Sequence, residues 1–311
     1  MNEISIQRVC ETEFGQPPLK ITRKKIGMCN EVYELHFETK SYILRMNNEK
    51  EWIYGTHKFL PLFQELKIKV PSIISADYSK TKFSFCYQIQ TKIEGKDLLI
   101  VFNELSPPEL KAIAGDLSLI FDKFNALPYE KNFGGITGVK EEQIENLFTI
   151  IEDKRKRIVQ RNGSTKVIDK EVVEMHNELV EDYKEYFLSA RPKLYYDDLN
   201  SKNVMIHHGK FNGLVDLDFL MKGDYLDAVG GIIAAWYGTE SGEIYINEIF
   251  KLQKLDEFQQ KMAKVYAIFH LIMWTSEEGV KFNGNSTGEI NWLSVEKKKR
   301  KIISLYNSIK S

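Results

Sequence analysis

The chain has 311 residues, of which 43% are hydrophobic and 28% are charged, enough for one large domain or for two lobes around a cleft. Its 43 basic and 44 acidic residues give a net charge of −1, which excludes the basic excess typical of nucleic-acid binders. There is no apolar run of about 18 residues and no apolar core at the N-terminus, so we expect neither a membrane span nor a signal peptide. Three widely spaced cysteines lack the spacing of a metal or disulfide framework, so we expect a cytoplasmic protein.

The first hundred residues predict a mostly antiparallel sheet with one helix after a short N-terminal helix. Short segments rich in branched and aromatic residues alternate with turn residues, which is typical of strands. Pro61 is expected to kink or divide the helix at 49–66. The predicted elements are a helix at 1–15, strands at 20–27, 31–38 and 41–47, the helix at 49–66 and a strand at 82–93.

The remaining two thirds predict a mainly helical part after the turn residues at 106–108. Apolar residues recur at helical spacing in three segments before an irregular, strand-containing block, and again towards the C-terminus. We therefore expect an α+β, bilobal protein, with an N-lobe at 1–105 that includes a hinge near 90–105, and a C-lobe at 106–311. The predicted elements are helices at 109–127, 141–161 and 168–189 with a turn at 162–165, the mixed block at 191–219, and three or four helices in 225–310 with breaks at 241–243 and 282–289.

The segment 194–219 carries the most specific pattern in the chain. Asp198 lies in a polar loop, Asn203 follows five residues later, and two short apolar strands around a turn lead to Asp216. Phosphoryl transfer to a hydroxyl needs one carboxylate to accept the hydroxyl proton, and an amide oxygen and a second carboxylate to hold Mg²⁺. Asp and Asn also occur in such loops as turn formers, but the hairpin, the terminal acid and the two-lobe layout favour the catalytic interpretation.

This segment resembles the catalytic loop and metal-binding strand of the aminoglycoside phosphotransferase and choline kinase superfamily, relatives of protein kinases. The resemblance implies a protein-kinase-like fold, with Asp198 as the catalytic base and Asn203 and Asp216 as Mg²⁺ ligands. Tyr196 replaces the usual His, which is mostly structural in relatives, and Asp197 replaces the usual Gly. By the same resemblance, Asp224 and Asp227 match positions that brace the loop or cap the following helix.

The resemblance also implies a nucleotide site in the N-lobe. Gly27 and Asn30 belong to a loop between two strands whose backbone N–H groups cover phosphates, although a plain hairpin turn is an equal alternative. Arg45 occupies the place of the phosphate-binding Lys. The helix Glu that usually partners this cation is missing. Its expected place falls near Thr56, and Glu51 is the nearest earlier acid.

Two further sets of residues follow from the resemblance. Gln90, Thr91 and Ile93 fall in the hinge, whose backbone groups pair with the base edge and do not distinguish ATP from GTP. The acceptor pocket of relatives is built from C-lobe helices, where carboxylates and aromatics suit an amine-bearing acceptor, although solvated helix ends and core Trp residues are the alternative interpretation. The candidate acceptor residues are Trp236, Glu240, Glu243, Trp274, Glu277 and Glu278.

Three functions remain open from the sequence. The first is a Mg²⁺-dependent phosphotransferase that uses ATP or GTP and acts on an antibiotic, foremost an aminoglycoside. The second is a kinase of choline, a sugar, a hydroxyl amino acid or a macrolide. The third is a pseudokinase that binds nucleotide without turnover, which the departures at Tyr196, Asp197 and Arg45 favour and the intact Asp198, Asn203 and Asp216 oppose. We expect a monomer or weak dimer.

Overall fold

We describe residues 3–25, 27, 29–281 and 288–311 of a computed structural model. The predicted break at 282–289 lies mostly outside these residues. Two hydrophobic clusters organise the protein. The smaller one lies under the first sheet and includes Val9, Leu44 and Ile89, and the larger one fills the helical part. No helix within the described residues is long and apolar enough to cross a membrane.

A five-stranded antiparallel sheet forms the first lobe, with strand order β1-β2-β3-β5-β4. Helix α1 packs on this sheet through Ile6 and Val9. Arg45 lies in the middle of the sheet, opposite Val32 on one side and Gln88 on the other. The elements are α1 (Glu3–Phe14), β1 (Lys20–Lys24), β2 (Glu31–His36), β3 (Ser41–Asn47), a 3-10 turn (Lys50–Trp52), α2 (Gly55–Glu65), β4 (Ile73–Asp77) and β5 (Cys86–Thr91).

The prediction that Pro61 divides its helix is wrong. Helix α2 runs through Pro61 to Glu65, and the break comes earlier, at residues 53–54, after the 3-10 turn. Proline deprives the carbonyl four residues earlier, that of His57, of its donor. Both residues are exposed, so this carbonyl is accessible to solvent and is not a buried group without a donor.

Helices dominate the second lobe, together with two small three-stranded sheets, β10-β9-β6 and β7-β11-β8. Helix α10 is the central helix and packs against α8 and α11. The elements are β6 (Lys96–Asp97), α3 (Leu98–Val101), a 3-10 turn (Phe102–Glu104), α4 (Pro107–Asn125), β7 (Gly134–Ile136), α5 (Leu147–Thr165), α6 (Lys170–Asp182), α7 (Lys184–Ser189), β8 (Lys193–Tyr195), β9 (Val204–His207), β10 (Lys210–Leu214), β11 (Leu220–Gly223), α8 (Leu226–Trp236), α9 (Glu240–Leu252), α10 (Glu257–Ser276) and α11 (Trp292–Lys310).

Two predicted breaks are helical in the structure. Residues 162–165 form the last turn of α5, and the residue that caps its end, Lys166, has the left-handed conformation (φ 54°). The 241–243 segment lies in the first turn of α9, where Thr239 accepts a hydrogen bond from the Gly242 N–H (3.0 Å). A Cβ at Gly242 would lie 1.8 Å from the Trp236 carbonyl oxygen, so this glycine permits close packing of α9 on the end of α8.

Candidate active site

A cleft of about 400 Å³ opens between the five-stranded sheet and the segment that contains Asn203 and Asp216. This volume lies within the range of small-ligand sites. The cleft wall carries more basic than acidic side chains, as a polyphosphate ligand requires. Of the predicted site residues, those that line it are Gly27, Arg45, Gln90, Thr91, Ile93, Asn203 and Asp216. The other charged residues that line it are Arg23, Lys24, Lys25, Lys92, Lys96 and Lys202, against Glu34 and Asp97.

The loop between β8 and β9 holds Asp198 by two side-chain amides. Asn200 donates a hydrogen bond to Oδ1 of Asp198 (2.8 Å), and Nδ2 of Asn203 donates to Oδ2. Burial raises the pKa of Asp198, and the nearby Asp216 adds to this effect, whereas Lys202 opposes it. A fixed carboxylate with a raised pKa has the geometry and basicity expected of a general base.

Tyr196 joins this loop to the strand that leads to Asp216. Its hydroxyl lies 3.1 Å from the Val215 carbonyl oxygen and 3.0 Å from that of Asp216, and its ring packs edge-on against Phe63. Tyr196 is 1% exposed, so its role here is structural. Asp216 itself has φ +63°, a rare conformation for a residue other than glycine. Such strain is typical of functional sites, and the Tyr196 contact helps to hold it.

Asn203 and Asp216 form a donor set that fits Mg²⁺. Because the amide nitrogen of Asn203 faces Asp198, its oxygen is directed away from that carboxylate, and the Asp216 side chain is 44% exposed at the cleft. Mg²⁺ in nucleotide sites takes one or two such protein oxygens and completes its shell with phosphates and water. Within the described residues, no group of three or more His, Cys, Asp or Glu side chains forms a metal cage.

Arg45 is held by carboxylates from the second lobe, which the sequence analysis did not anticipate. Its Nη2 lies 2.6 Å from Oδ1 of Asp216 and 2.5 Å from Oδ2 of Asp218, and its Nη1 donates to the Thr56 hydroxyl (3.0 Å). Burial alone would lower the pKa of Arg45, but the two carboxylates outweigh burial and raise it. Glu51, the acid nearest in sequence, instead accepts a long hydrogen bond from Thr137 (3.5 Å).

Asn30 does not line the cleft, contrary to its predicted nucleotide role. It is 4% exposed, and its amide donates to the Trp52 carbonyl (2.9 Å) and to Oδ2 of Asp218 (3.2 Å). These bonds tie Asn30, just before β2, to the 3-10 turn and to Asp218. At this position a small amide bridges a backbone carbonyl and a carboxylate. The sequence of the loop alone does not distinguish this structural role from a contact with phosphate.

In the hinge, Thr91 is tied to the preceding turn. Its N–H donates to the Ser72 carbonyl and its hydroxyl accepts from the Ser72 N–H, each at 2.9 Å, so this N–H is engaged within the protein. Nearby, the buried Glu34 forms ion pairs with Lys24 (2.5 Å) and Lys92 (3.1 Å). Burial would raise the pKa of Glu34, but the two lysines outweigh it and lower the pKa. Charged side chains at the cleft wall are features that the sequence analysis missed.

The predicted acceptor residues are dispersed. Trp236, expected in the pocket, is a core residue: its indole N–H donates to the Asn200 carbonyl (2.8 Å) and its ring stacks on Phe102 at 3.6 Å. Glu240 and Glu243 are exposed in the first turn of α9, where Glu243 accepts from the Gly238 N–H (3.4 Å).

The end of α10 is the better candidate for an acceptor wall. Glu277 pairs with Arg161 (3.3 Å) and Glu278 pairs with Lys298 (2.5 Å), while Trp274 lies half-buried beside them. Burial raises the pKa of Glu277, against the effect of Arg161 and of Lys202 in the catalytic loop. Lys202, which contributes to this pKa, lies in the loop between β8 and β9 that contains Asp198.

Asp224 and Asp227 brace the base of the site. Asp224 accepts hydrogen bonds from the Leu226 N–H (3.0 Å), the Tyr266 hydroxyl (2.9 Å) and the Tyr186 hydroxyl. These bonds tie the end of β11 to the start of α8 and to α7 and α10.

Asp227 lies in a charged cluster below the catalytic loop. It accepts from the Tyr195 hydroxyl (3.0 Å) and lies 3.0 Å from Nε2 of His270 and 3.7 Å from Nζ of Lys154. Burial would raise the pKa of Asp227, but Lys154 and His270 outweigh it and lower the pKa. Asp197 faces the same cluster, where burial and the neighbouring Asp198 and Asp227 raise its pKa to about 7.

A model of the phosphotransferase enzyme family (APH) matches residues 20–261. The chain belongs to this family. It is therefore a kinase-type phosphotransferase that acts on a small molecule, and the predicted family and enzyme class are confirmed. No match was found among curated protein sequences.

Solved structures of aminoglycoside phosphotransferases share the fold. A thermostable mutant of aminoglycoside phosphotransferase APH(4)-Ia, in ternary complex with AMP-PNP and hygromycin B, is 16% identical, with a TM-score of 0.73 and coverage of 98% of each chain. A mutant of aminoglycoside 2'-phosphotransferase-IIIa in complex with GDP is 11% identical, with a TM-score of 0.73 and coverage of 99% of this chain and 100% of that one. At these identities the likeness establishes the predicted bilobal, kinase-like α+β fold.

Proposed function

We propose that the protein is a Mg²⁺-dependent O-phosphotransferase that moves the γ-phosphoryl group of ATP or GTP onto a hydroxyl of an aminoglycoside-type antibiotic. The observation that carries the proposal is the convergence of Asn203, Asp216 and Arg45 at one basic cleft, with Asp198 hydrogen-bonded to Asn203. This set supplies a base, two metal ligands and a phosphate-binding cation, which are the parts that phosphoryl transfer to a hydroxyl requires.

Each group has a distinct task in this proposal. Asp198 orients the acceptor hydroxyl and takes its proton as the new O–P bond forms, and its raised pKa suits it to that proton. The oxygen of Asn203 and the carboxylate of Asp216 hold Mg²⁺, which neutralises the phosphate oxygens. Arg45 and the cations along the cleft stabilise the charge on the transferred group. The proposal covers both ATP and GTP as donor, because the hinge contacts the nucleobase mainly through its backbone.

The aminoglycoside acceptor is supported by the ligands bound in structurally similar proteins. The ternary complexes with hygromycin B and with streptomycin belong to proteins of this fold. In this chain, Glu277 and Glu278 lie at the end of α10, where carboxylates suit acceptor amines. Their pairing with Arg161 and Lys298 favours a second candidate, a neutral hydroxylated metabolite such as a sugar, because paired carboxylates attract a polycation less strongly.

The test is a turnover panel with MgATP and MgGTP against aminoglycosides, macrolides, choline and sugars. We expect transfer to one acceptor class, and Asp198→Asn should lower kcat at least about 10²-fold with nearly unchanged nucleotide affinity. Asp153→Asn, the same substitution at an exposed position on α5, is the matched control and should be silent. Nucleotide binding without transfer to any acceptor would instead identify a pseudokinase.

A further inference from the structure

Asp218 joins three parts of the N-lobe to the catalytic half of the protein. Its Oδ2 accepts from Arg45 on β3 (2.5 Å) and from Asn30 in the nucleotide loop (3.2 Å). Its Oδ1 accepts from both the N–H and the hydroxyl of Thr56 on α2, each at 2.8 Å. One carboxylate two residues after Asp216 thus receives four hydrogen bonds from across the cleft.

Thr56 occupies the place where the acid that partners the phosphate-binding cation was expected. Its hydroxyl contacts both Arg45 and Asp218, so the missing negative charge is supplied from the opposite lobe. The carboxylate also faces the N-terminal end of α2, where backbone N–H groups and the helix dipole favour an anion.

The start of α2 lies very close to the backbone of Asp218. A Cβ at Gly55 would lie 2.0 Å from the Asp218 carbonyl oxygen, so only glycine lets α2 begin here. Further along the same helix, Phe63 packs against Phe124 and Tyr196 of the larger core. Helix α2 is therefore fixed to the C-lobe at its start and along its length.

The two carboxylates that contact Arg45 differ in exposure. The Asp216 side chain is 44% exposed at the cleft, whereas that of Asp218 is 11% exposed. A metal ion in the cleft would compete with Arg45 for the exposed Asp216, whereas Asp218 is enclosed. Only one of the two partners of Arg45 is therefore expected to remain when nucleotide binds.

We propose that Asp218 is the positioning residue for Arg45, replacing from the C-lobe the helix acid that the N-lobe lacks. By holding Arg45, Asn30 and the start of α2 together, it sets the phosphate-binding side of the cleft against Asp216. This inference rests on the proposed phosphotransferase function and adds a residue to it.

The test combines Asp218→Asn, Arg45→Ala and the double variant, at a temperature where circular dichroism shows all of them folded. The asparagine amide turns a donor towards Arg45 or Thr56, so kcat/KM for nucleotide should fall about 10- to 100-fold, while the acceptor KM stays unchanged. The double variant should lose no more than the worse single variant, because both changes act through one unit. Asp77→Asn removes another buried, hydrogen-bonded carboxylate of the N-lobe and is the matched control, with unchanged kinetics expected.

Two further variants keep the test decisive if Asp218→Asn does not fold. Thr56→Val removes only the hydroxyl and should cause part of the same loss in nucleotide kcat/KM. Thr56→Glu combined with Asp218→Ser returns the acid to α2 and should recover activity relative to Asp218→Ser alone. Folded variants with wild-type nucleotide kinetics, or multiplicative losses in the double variant, would overturn the role of Asp218.

A failure of the proposed function gives a different pattern. Wild-type protein that transfers phosphate to no acceptor would refute the phosphotransferase proposal. The Asp218 inference would then be decided by calorimetry with MgATP or MgGTP, where non-additive losses of affinity in the same variants support it and additive ones contradict it.

Discussion

Substitution of Asp197 by Asn should stabilise the protein increasingly as the pH rises. Asp197 lies next to Asp198 and near Asp227, and burial together with these charges raises its pKa from 3.8 to about 7, against Lys154 and His270. A carboxyl with a raised pKa in the folded state binds its proton more tightly there than in the unfolded chain. Its ionisation therefore costs stability, which is lost progressively between about pH 4 and pH 7 and stays lost above.

The size of the effect follows from the shift. About three pKa units correspond to about 4 kcal/mol at full ionisation, and about 1.5 kcal/mol of this cost is already present at pH 5. Because asparagine does not ionise, the difference in unfolding free energy between Asp197→Asn and wild type should grow by about 2 to 3 kcal/mol from pH 5 to pH 8.

The assay is urea unfolding at pH 5, 6, 7 and 8, followed by tryptophan fluorescence and circular dichroism. Asp153→Asn on the exposed face of α5 is the control and should show a difference from wild type that does not change with pH. If the difference in unfolding free energy between Asp197→Asn and wild type does not change with pH, the pKa of Asp197 is not raised and the argument is refuted.

Four further substitutions, at three residues, test the cleft. Asp216→Ala should abolish the Mg²⁺ dependence of nucleotide binding, with Asn203→Ala a weaker version; calorimetry with equal nucleotide affinity with and without Mg²⁺ in wild type and variants would contradict the metal role. Arg45→Ala should raise the nucleotide KM and lower kcat, and Arg45→Lys should recover only part of the loss because an ammonium group cannot bridge Asp218 and Thr56 as the guanidinium does. Steady-state kinetics with varied nucleotide measures this, and untouched nucleotide kinetics would remove Arg45 from the site.

The catalytic segment was predictable because its chemistry is local in sequence. Asp198 and Asn203 lie five residues apart in one loop, and the amide reaches the carboxylate without help from the rest of the fold. The sheet was predictable for a similar reason, since β2 and β3 pair through a short turn with alternating side chains. Helix ends were less predictable. At 241–243, a glycine that permits close packing looks the same in the sequence as a glycine that ends a helix.

The partner of Arg45 was not predictable from sequence spacing. Asp218 is 173 positions away from Arg45, and only the tertiary fold brings them together. The one signal in the sequence is the second acid in Val215-Asp216-Leu217-Asp218, combined with the missing helix Glu. The prediction that Trp236 lines the acceptor pocket was wrong because an aromatic residue near a motif is compatible with a pocket or with the core. Its stacking on Phe102, which decides between them, is a tertiary contact.

The charge of the acceptor wall gives a way to separate the two acceptor classes. Arg161 on α5 pairs with Glu277, the residue that caps the end of α10, so Arg161→Gln leaves that carboxylate without its nearest cation. If Glu277 binds an acceptor amine, removing its ion pair with Arg161 should lower the KM for aminoglycosides several-fold with little change in kcat. The reason is that hydrogen bonds to charged groups contribute about 1.5 to 3 kcal/mol. Arg157→Gln, an exposed position one turn earlier on the same helix, makes the same change in net charge and should leave this KM unaltered. Equal KM values in both variants would place the acceptor amines away from Glu277, and a gain with neutral sugars instead would favour the metabolite kinase.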